Sequence, residues 1–196
     1  LSVLLIKINN GPYKDKWAVP GGLVQGNESL DEAAVRVLSE KTSLKNIYLE
    51  QLYTFGDPNR DIRGRSVSVA YFALINNAEN LKPTTQDYYG GIEWFPVDKL
   101  PKMAFDHKEV VEVAKNRLRS KLSYSNIAYS LLPKEFTLTQ LQKVYETILG
   151  HSLDKRNFRK KIDSLEIIED LNKKQTDVTH RPAQLYKFKK RELEIF

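Results

Sequence analysis

The chain has 196 residues, 41% hydrophobic and 29% charged, with no cysteine and a net charge of +6. This length allows one large domain or two modest ones with real cores. The lack of cysteine excludes disulfides and thiolate metal sites and fits a cytoplasmic setting; no signal peptide is visible, and no apolar run approaches the ~20 residues that span a bilayer.

Residues 1–8 are nearly all aliphatic and predict a strand buried on both faces. The chain enters this strand at once, without a methionine, so an upstream first strand is expected to be missing. Residues 9–15, with Gly11-Pro12, predict a turn, and 17–20 lead into a glycine loop. Residues 22–44 read GLVQGNESLDEAAVRVLSEKTSL. Leu30, Ala33, Ala34, Val37 and Leu38 recur there at helical spacing, so one face should pack inward. Ser29 or Asn27 is the expected cap, with Asp31 and Glu32 in the first turn where the helix dipole favours acids, and the helix should end near Thr42. Strands are expected over 46–55 and 66–75, joined by the polar loop GDPNRDIRGR at 56–65. Residues 76–91 predict another loop and 93–97 a strand. Phe105-Asp106-His107 precede an amphipathic helix to about Leu122, with Val110, Val111, Val113, Ala114 and Leu118 inward. His107 is expected to start this helix rather than catalyse; His151 and His180 are isolated, and no metal spacing links the three.

Within 22–44 the polar residues are regularly placed: Glu28 six positions after Gly22, Arg36 eight later, then Glu40. With WAVPGGLV before it and EWFPVDKLP at 93–101, the stretch resembles the Nudix box, G-x5-E-x7-R-E-U-x-E-E-x-G-U with U aliphatic. Gly22, Glu28, Arg36, Leu38, Glu40 and Leu44 match. The resemblance implies an α+β Nudix fold, an α/β/α sandwich with a mixed sheet. In working Nudix hydrolases the glutamates after the arginine stack on one helix face and hold the divalent cations that polarise a diphosphate and activate water. Here Val37 takes the first of these positions, Lys41 the last, and Ser43 replaces the glycine. Magnesium requires near-octahedral oxygen ligation with carboxylates and substrate phosphates. The expectation is therefore no catalytic residue and no metal ligand beyond the residual positions Glu28, Arg36 and Glu40. Glu40 would hold a metal, and magnesium be needed, only if hydrolysis persists; no other cofactor is expected. The arginines of the 56–65 loop, beside Asp57 and Asp61, suit a phosphate or diphosphate, although hairpin loops are often charged without such a role.

The charge is unevenly placed: residues 1–120 hold 16 Lys/Arg against 15 Asp/Glu, and 121–196 hold 15 against 10. That asymmetry favours an anionic partner for the second part. Composition changes over 123–133. Thr137 and Gln140 form a capping-box pattern, followed by a stripe of Leu138, Leu141, Val144, Tyr145, Ile148 and Leu149, with Gly150 as the stop. Asp154 can cap a second helix, DKRNFRKKIDSL, with Phe158, Ile162 and Leu165 inward and a basic outer face. Short strands are expected at 166–170 and 185–189, around a polar stretch at 172–182. Helix, tight turn, basic helix and hairpin follow the order of an α+β winged helix-turn-helix, whose second helix enters the major groove.

The two parts together resemble the Nudix-related transcriptional regulators, the NrtR family, over nearly the whole chain. The markers are YTFGDPNRDIRGRSVSVAYFALI, the FDH element, LLPKEFTLTQLQKVYE, LDKRNFRKK and RPAQLYKF. The resemblance implies an effector-binding Nudix-like domain (1–122), a winged-helix domain (123–196) that binds double-stranded operator DNA, a homodimer, and no membrane. The resemblance implies that the effector is ADP-ribose or a pentose or sugar phosphate. Candidate effector-binding residues are Trp17, Gly22, Glu28, Arg36, Glu40, Arg60, Asp61, Arg63 and Arg65. Candidate DNA-binding residues are Thr137, Lys155, Arg156, Asn157, Arg159, Lys160 and Arg181, Thr137 because a helix N-terminus offers amides to phosphate. The alternatives are a magnesium-dependent pyrophosphatase acting on ADP-ribose or a nucleoside-diphosphate sugar, and a C-terminal unit that binds protein rather than DNA.

Overall fold

The computed structural model describes residues 1–44, 47–75, 89–176 and 182–196. The elements are β1 (Ser2–Ile8), β2 (Trp17–Ala18), α1 (Leu30–Thr42), β3 (Tyr48–Phe55), β4 (Ser68–Leu74), β5 (Tyr89–Pro96), α2 (His107–Tyr124), α3 (Leu138–Leu149), α4 (Lys155–Leu165), β6 (Ile168–Lys174) and β7 (Gln184–Phe188). Single 3-10 turns lie at Gly11–Tyr13 and Ile127–Leu131. Two compact units result, the second comprising Leu118–Phe196 and, among the described residues, Ile75 as well, so the main division falls within α2.

In the first unit β1 is the central strand of a three-stranded sheet, antiparallel to both β2 and β5. A parallel bridge between Trp17 and Met103 makes the strand arrangement mixed. A second sheet is the β3–β4 hairpin. The aliphatic run of β1 buries Leu4, Leu5 and Ile6, and Ile6 packs with Tyr13, Ala18 and Ala104. Leu52, Phe55 and Phe72 of the hairpin pack against Val110 of α2. Ser29 is the cap of α1: its hydroxyl accepts from Glu32 N at 3.2 Å while the Glu32 carboxylate accepts from Ser29 N at 2.7 Å. The helix ends at Thr42, and Ser43 closes it with a left-handed backbone. Leu30, expected inward, is exposed because it lies in the first turn. Tyr89, Gly90 and Gly91, expected in a loop, belong to β5, where Tyr89 pairs with Ile8. Most of that expected loop lies outside the described residues.

In the second unit the capping box of α3 forms as the sequence spacing requires, and Gly150 ends the helix at φ 82°. Asp154 caps α4, its carboxylate accepting from Asn157 N at 2.8 Å. The strand expected from residue 166 begins instead at Ile168, because Glu166 takes the left-handed position that ends α4; Asn172–Lys174, expected in the polar stretch, extend β6. Phe136, Leu141 and Ile162 are fully buried. Phe136 also bridges Tyr186 through both backbone hydrogen bonds, at 2.9 and 2.8 Å, and its ring sits 5.0 Å from that of Phe188. One residue thus joins the start of α3 to the β6–β7 hairpin.

The segment after β7 is fastened to the same unit. Asn126, itself buried, donates to Glu192 O at 3.0 Å and accepts from Glu194 N at 2.8 Å. The Arg191 guanidinium donates to the carbonyls of Tyr129, Leu132 and Pro133.

Since Phe136 is 0% exposed, Phe136→Ala leaves a cavity and should destabilise the second unit by about 3–5 kcal/mol. Both tryptophans, Trp17 and Trp94, lie in the first unit. Urea unfolding should therefore be followed by far-UV circular dichroism rather than tryptophan emission; an unchanged midpoint would contradict this assignment.

Candidate functional site

Seven of the nine residues singled out in the first unit fall into two hydrogen-bonded groups, Trp17 and Gly22 standing outside them. Arg36 is the hub of the first. Its Nε and Nη2 donate to the two Glu28 carboxylate oxygens at 2.8 and 2.5 Å, Nη2 also reaches Leu23 O at 2.9 Å, and Nη1 reaches Glu40 at 3.1 Å. Glu28 additionally accepts from Gln25 N at 2.8 Å. One guanidinium on α1 therefore staples the glycine loop to the helix, with charge-assisted bonds stronger than neutral ones. These bonds hold the Glu28 carboxyl down at about 2, the Arg36 hydrogen bond being the largest cause. They also raise the Arg36 guanidinium above its ordinary value.

The three metal positions of the box have other occupations. Val37 is 8% exposed and lies under Gly22, where an added Cβ would meet its Cγ2 at 2.8 Å. Glu40 pairs with Arg36. The Lys41 ammonium lies 4.7 Å from the Tyr89 ring centroid, a cation–π distance. One ion-paired carboxylate, a buried isopropyl group and a cation do not suit a magnesium ion. Among the described residues no group of three or more His, Asp or Glu is placed to hold a metal.

The second group is the 56–65 loop, which is more ordered than a charged hairpin connection suggests. Arg60 is 9% exposed and makes a bidentate pair with Asp106, Nε to Oδ2 at 2.8 Å and Nη2 to Oδ1 at 2.7 Å, with Nη1 on Ser66 at 3.2 Å. Asp61 accepts from the Arg63 backbone at 3.0 Å and from its Nη2 at 2.7 Å. These Arg63 bonds, the side-chain ones foremost, hold the Asp61 carboxyl below its usual range. The Tyr13 hydroxyl accepts from Ile62 N at 3.0 Å. The Arg63 guanidinium lies 5.0 Å from the Phe105 ring centroid and 5.9 Å from that of Tyr13, yet its side chain is 58% exposed. Arg65 donates to Gly56 O at 2.6 Å. Of the three arginines, Arg60 faces into the protein and holds the loop, whereas Arg63 and Arg65 present cationic surface.

Trp17 is half-buried, edge-on to Phe95 at 4.6 Å. Its backbone is fixed by Lys102 O at 2.9 Å and Ala104 N at 2.7 Å. Two residues on, Val19 N donates to His107 Nδ1 at 3.1 Å. His107 is indeed the first residue of α2. Burial pushes its imidazole down to about 4 against the opposing charge of Asp106, so at neutral pH the ring is uncharged and able to accept. Sequence reasoning missed Asp106, His107 and Tyr13 as parts of this site. Their partners lie 46, 88 and 49 residues away in the chain, and no local spacing announces such pairs.

In the second unit Phe158 and Ile162 face the core, while Lys155, Arg156, Asn157, Arg159 and Lys160 are all exposed. The basic face of α4 is therefore open to solvent. Thr137 is buried, its amide donates to Gln140 Oε1 at 2.8 Å, and its hydroxyl accepts from Gln140 N at 3.2 Å. Two amides expected to be on offer to phosphate are thus satisfied inside the cap. Arg181 lies outside the described residues.

A glycine loop and box helix held together by Arg36, followed by a winged helix whose second helix presents exposed cations, define a two-domain protein that joins a Nudix domain to a winged helix. Residues 2–114 match the NUDIX domain family, and 128–188 match the NrtR DNA-binding winged helix domain. The chain is 40% identical over 192 residues to the ADPR responsive transcriptional repressor NtrR of Acinetobacter baylyi, covering 96% of this chain and 76% of that protein. It superposes on a crystal structure of Shewanella oneidensis NrtR complexed with a 27mer DNA with a TM-score of 0.78 at 34% identity, covering 96% of this chain and 86% of that one. The NUDIX domain of the same Shewanella protein, crystallised with ADP ribose, gives a TM-score of 0.53 at 36% identity over 60% of this chain and 77% of that one. The chain belongs to the NrtR family of Nudix-related transcriptional regulators.

The burial of His107 makes stability pH-dependent. The imidazole protonates at ~6.5 when unfolded but only at about 4 when folded. The unfolded state binds more protons between these values, so stability is full above ~6.5 and falls as the pH drops toward 4, by on the order of 3 kcal/mol. Urea midpoints from tryptophan emission should fall over this window in the native chain and fall much less in His107→Gln, whose amide cannot take up the proton.

Proposed function

We propose that the Nudix domain of this regulator binds ADP-ribose without hydrolysing it, and that binding changes the affinity of the winged helix for operator DNA. The working form is a homodimer acting in the cytoplasm. The observation that carries the reading is the state of the box. The loop and helix that shape a diphosphate site are held by Arg36, while the positions that would activate water hold Val37, an ion-paired Glu40 and Lys41. Such a box suits the binding of a diphosphate, and among the described residues no cluster of carboxylates is placed beside it to hold the cations that cleavage needs. Arg63 and Arg65 supply exposed guanidinium groups suited to phosphate oxygens. The ADP-ribose assignment is supported by the repressor from Acinetobacter and the ADP-ribose complex from Shewanella. For the ligand to act as a signal it must bind the DNA-competent and DNA-incompetent states with different affinities.

Two measurements test this. ADP-ribose at a hundredfold excess over its dissociation constant should stabilise the protein by ~2.7 kcal/mol, with no AMP released in the presence of magnesium. Stabilisation by a free pentose but not by ADP-ribose would overturn the effector. Magnesium-dependent AMP release that disappears in Glu40→Gln would establish a hydrolase.

For the DNA side, Arg156→Ala combined with Arg159→Ala should weaken binding to a palindromic operator. The double variant should also flatten the dependence of log K on log salt by up to ~2, about 0.9 for each phosphate that is no longer neutralised. A gel shift that survives both substitutions would instead make this unit a protein-binding module.

A further inference from the structure

We infer that the Phe105-Asp106-His107 elbow is the positioning element of the effector site, its three consecutive side chains fixing the two chain segments that bear the effector-binding groups. The inference rests on the functional reading above and adds residues to it. Asp106 holds the arginine loop through its bidentate pair with Arg60. His107 holds the segment between Trp17 and Gly22 through Val19 N. The Phe105 ring lies against the Arg63 guanidinium, 5.0 Å from its centroid, and against the Tyr13 ring at 4.2 Å.

Each of these residues departs from what a helix start alone would favour. Phe105 has φ 52°, a left-handed conformation costly for a bulky side chain and usually retained where the surroundings demand it. An aspartate just before a helix ordinarily caps it with its carboxylate. Here both Asp106 oxygens go to Arg60, 46 residues away, and only the Asp106 carbonyl serves the helix, accepting from Glu109 N at 2.8 Å and Val110 N at 3.2 Å. His107 is a surface-type residue that instead sends its ring nitrogen to a backbone amide of another segment. A residue triplet serving only to begin α2 needs none of these three features. All three direct side chains to segments that carry Trp17, Gly22, Arg63 and Arg65. Buried bidentate pairs are geometrically demanding and fix orientation even where they add little net stability. Preorganising a binding loop raises affinity by lowering the ordering cost on binding.

The decisive variant is Asp106→Asn in the full chain, with Asp106→Glu as the conservative partner. Calorimetric titration with ADP-ribose should show binding weakened at least about tenfold in Asp106→Asn. Asp106→Glu should recover part of the loss, and operator affinity without ligand should stay at the native value. Amide exchange in the ligand-free chain should accelerate over 56–66 in Asp106→Asn and not across the rest of the first unit. Native ADP-ribose affinity in Asp106→Asn overturns the inference. So does a parallel loss of operator binding, which would mark a general destabilisation. If the native chain itself binds no ADP-ribose, the functional reading fails. The exchange experiment then still decides the elbow: unchanged exchange over 56–66 overturns it, and acceleration confined there upholds it.

Discussion

The first domain depends on the contact between Arg36 and Glu28. A glycine loop has little of its own to hold it in place; in this protein its shape comes from a guanidinium that takes both oxygens of Glu28, the carbonyl of Leu23 and the carboxylate of Glu40. The same contact decides the chemistry. A carboxylate drawn down to about 2 by hydrogen bonds is a permanent anion that accepts and does not shuttle protons. Committed to the loop, it is a structural anion and a poor general base.

The two domains divide the electrostatic work. In the first, cationic groups are nearly balanced by acids, and two arginines of the candidate site are paired at short range, Arg36 with Glu28 and Arg60 with Asp106. In the second, the outer face of α4 gathers exposed cations over a core of Phe158 and Ile162. A polyanion would therefore be drawn to the second domain by long-range attraction. A small diphosphate would be recognised in the first by geometry, where screening by salt matters less.

Much of this was legible in the chain. The capping box at Thr137 and Gln140, the glycine stop at Gly150 and the register of the Nudix helix follow from local spacings, and the structure bears them out; at the first helix it selects Ser29 over Asn27 as the cap and adds a capping box with Glu32. Which residues share the outer face of the box helix was readable for the same reason, since helical spacing fixes it. What stayed hidden depends on long-range pairing. Nothing near Arg60 marks it as the arginine that turns inward, because the cause is Asp106 across the fold. The grip of Asn126 and Arg191 on the final segment was invisible on the same grounds. Strand ends slipped by a few residues where a left-handed residue such as Glu166 prolonged a helix exit.

The approach of Gly22 to Val37 has an evolutionary corollary. With a methyl group of Val37 already filling the space where a side chain on Gly22 would begin, the two positions are no longer free to drift separately. A larger residue in the loop would displace the valine, and an acid restored on the helix would have to leave an apolar niche before it could meet a cation. Packing thus couples the loop to the helix, and a change of side chain at either position would require an accommodating change at the other.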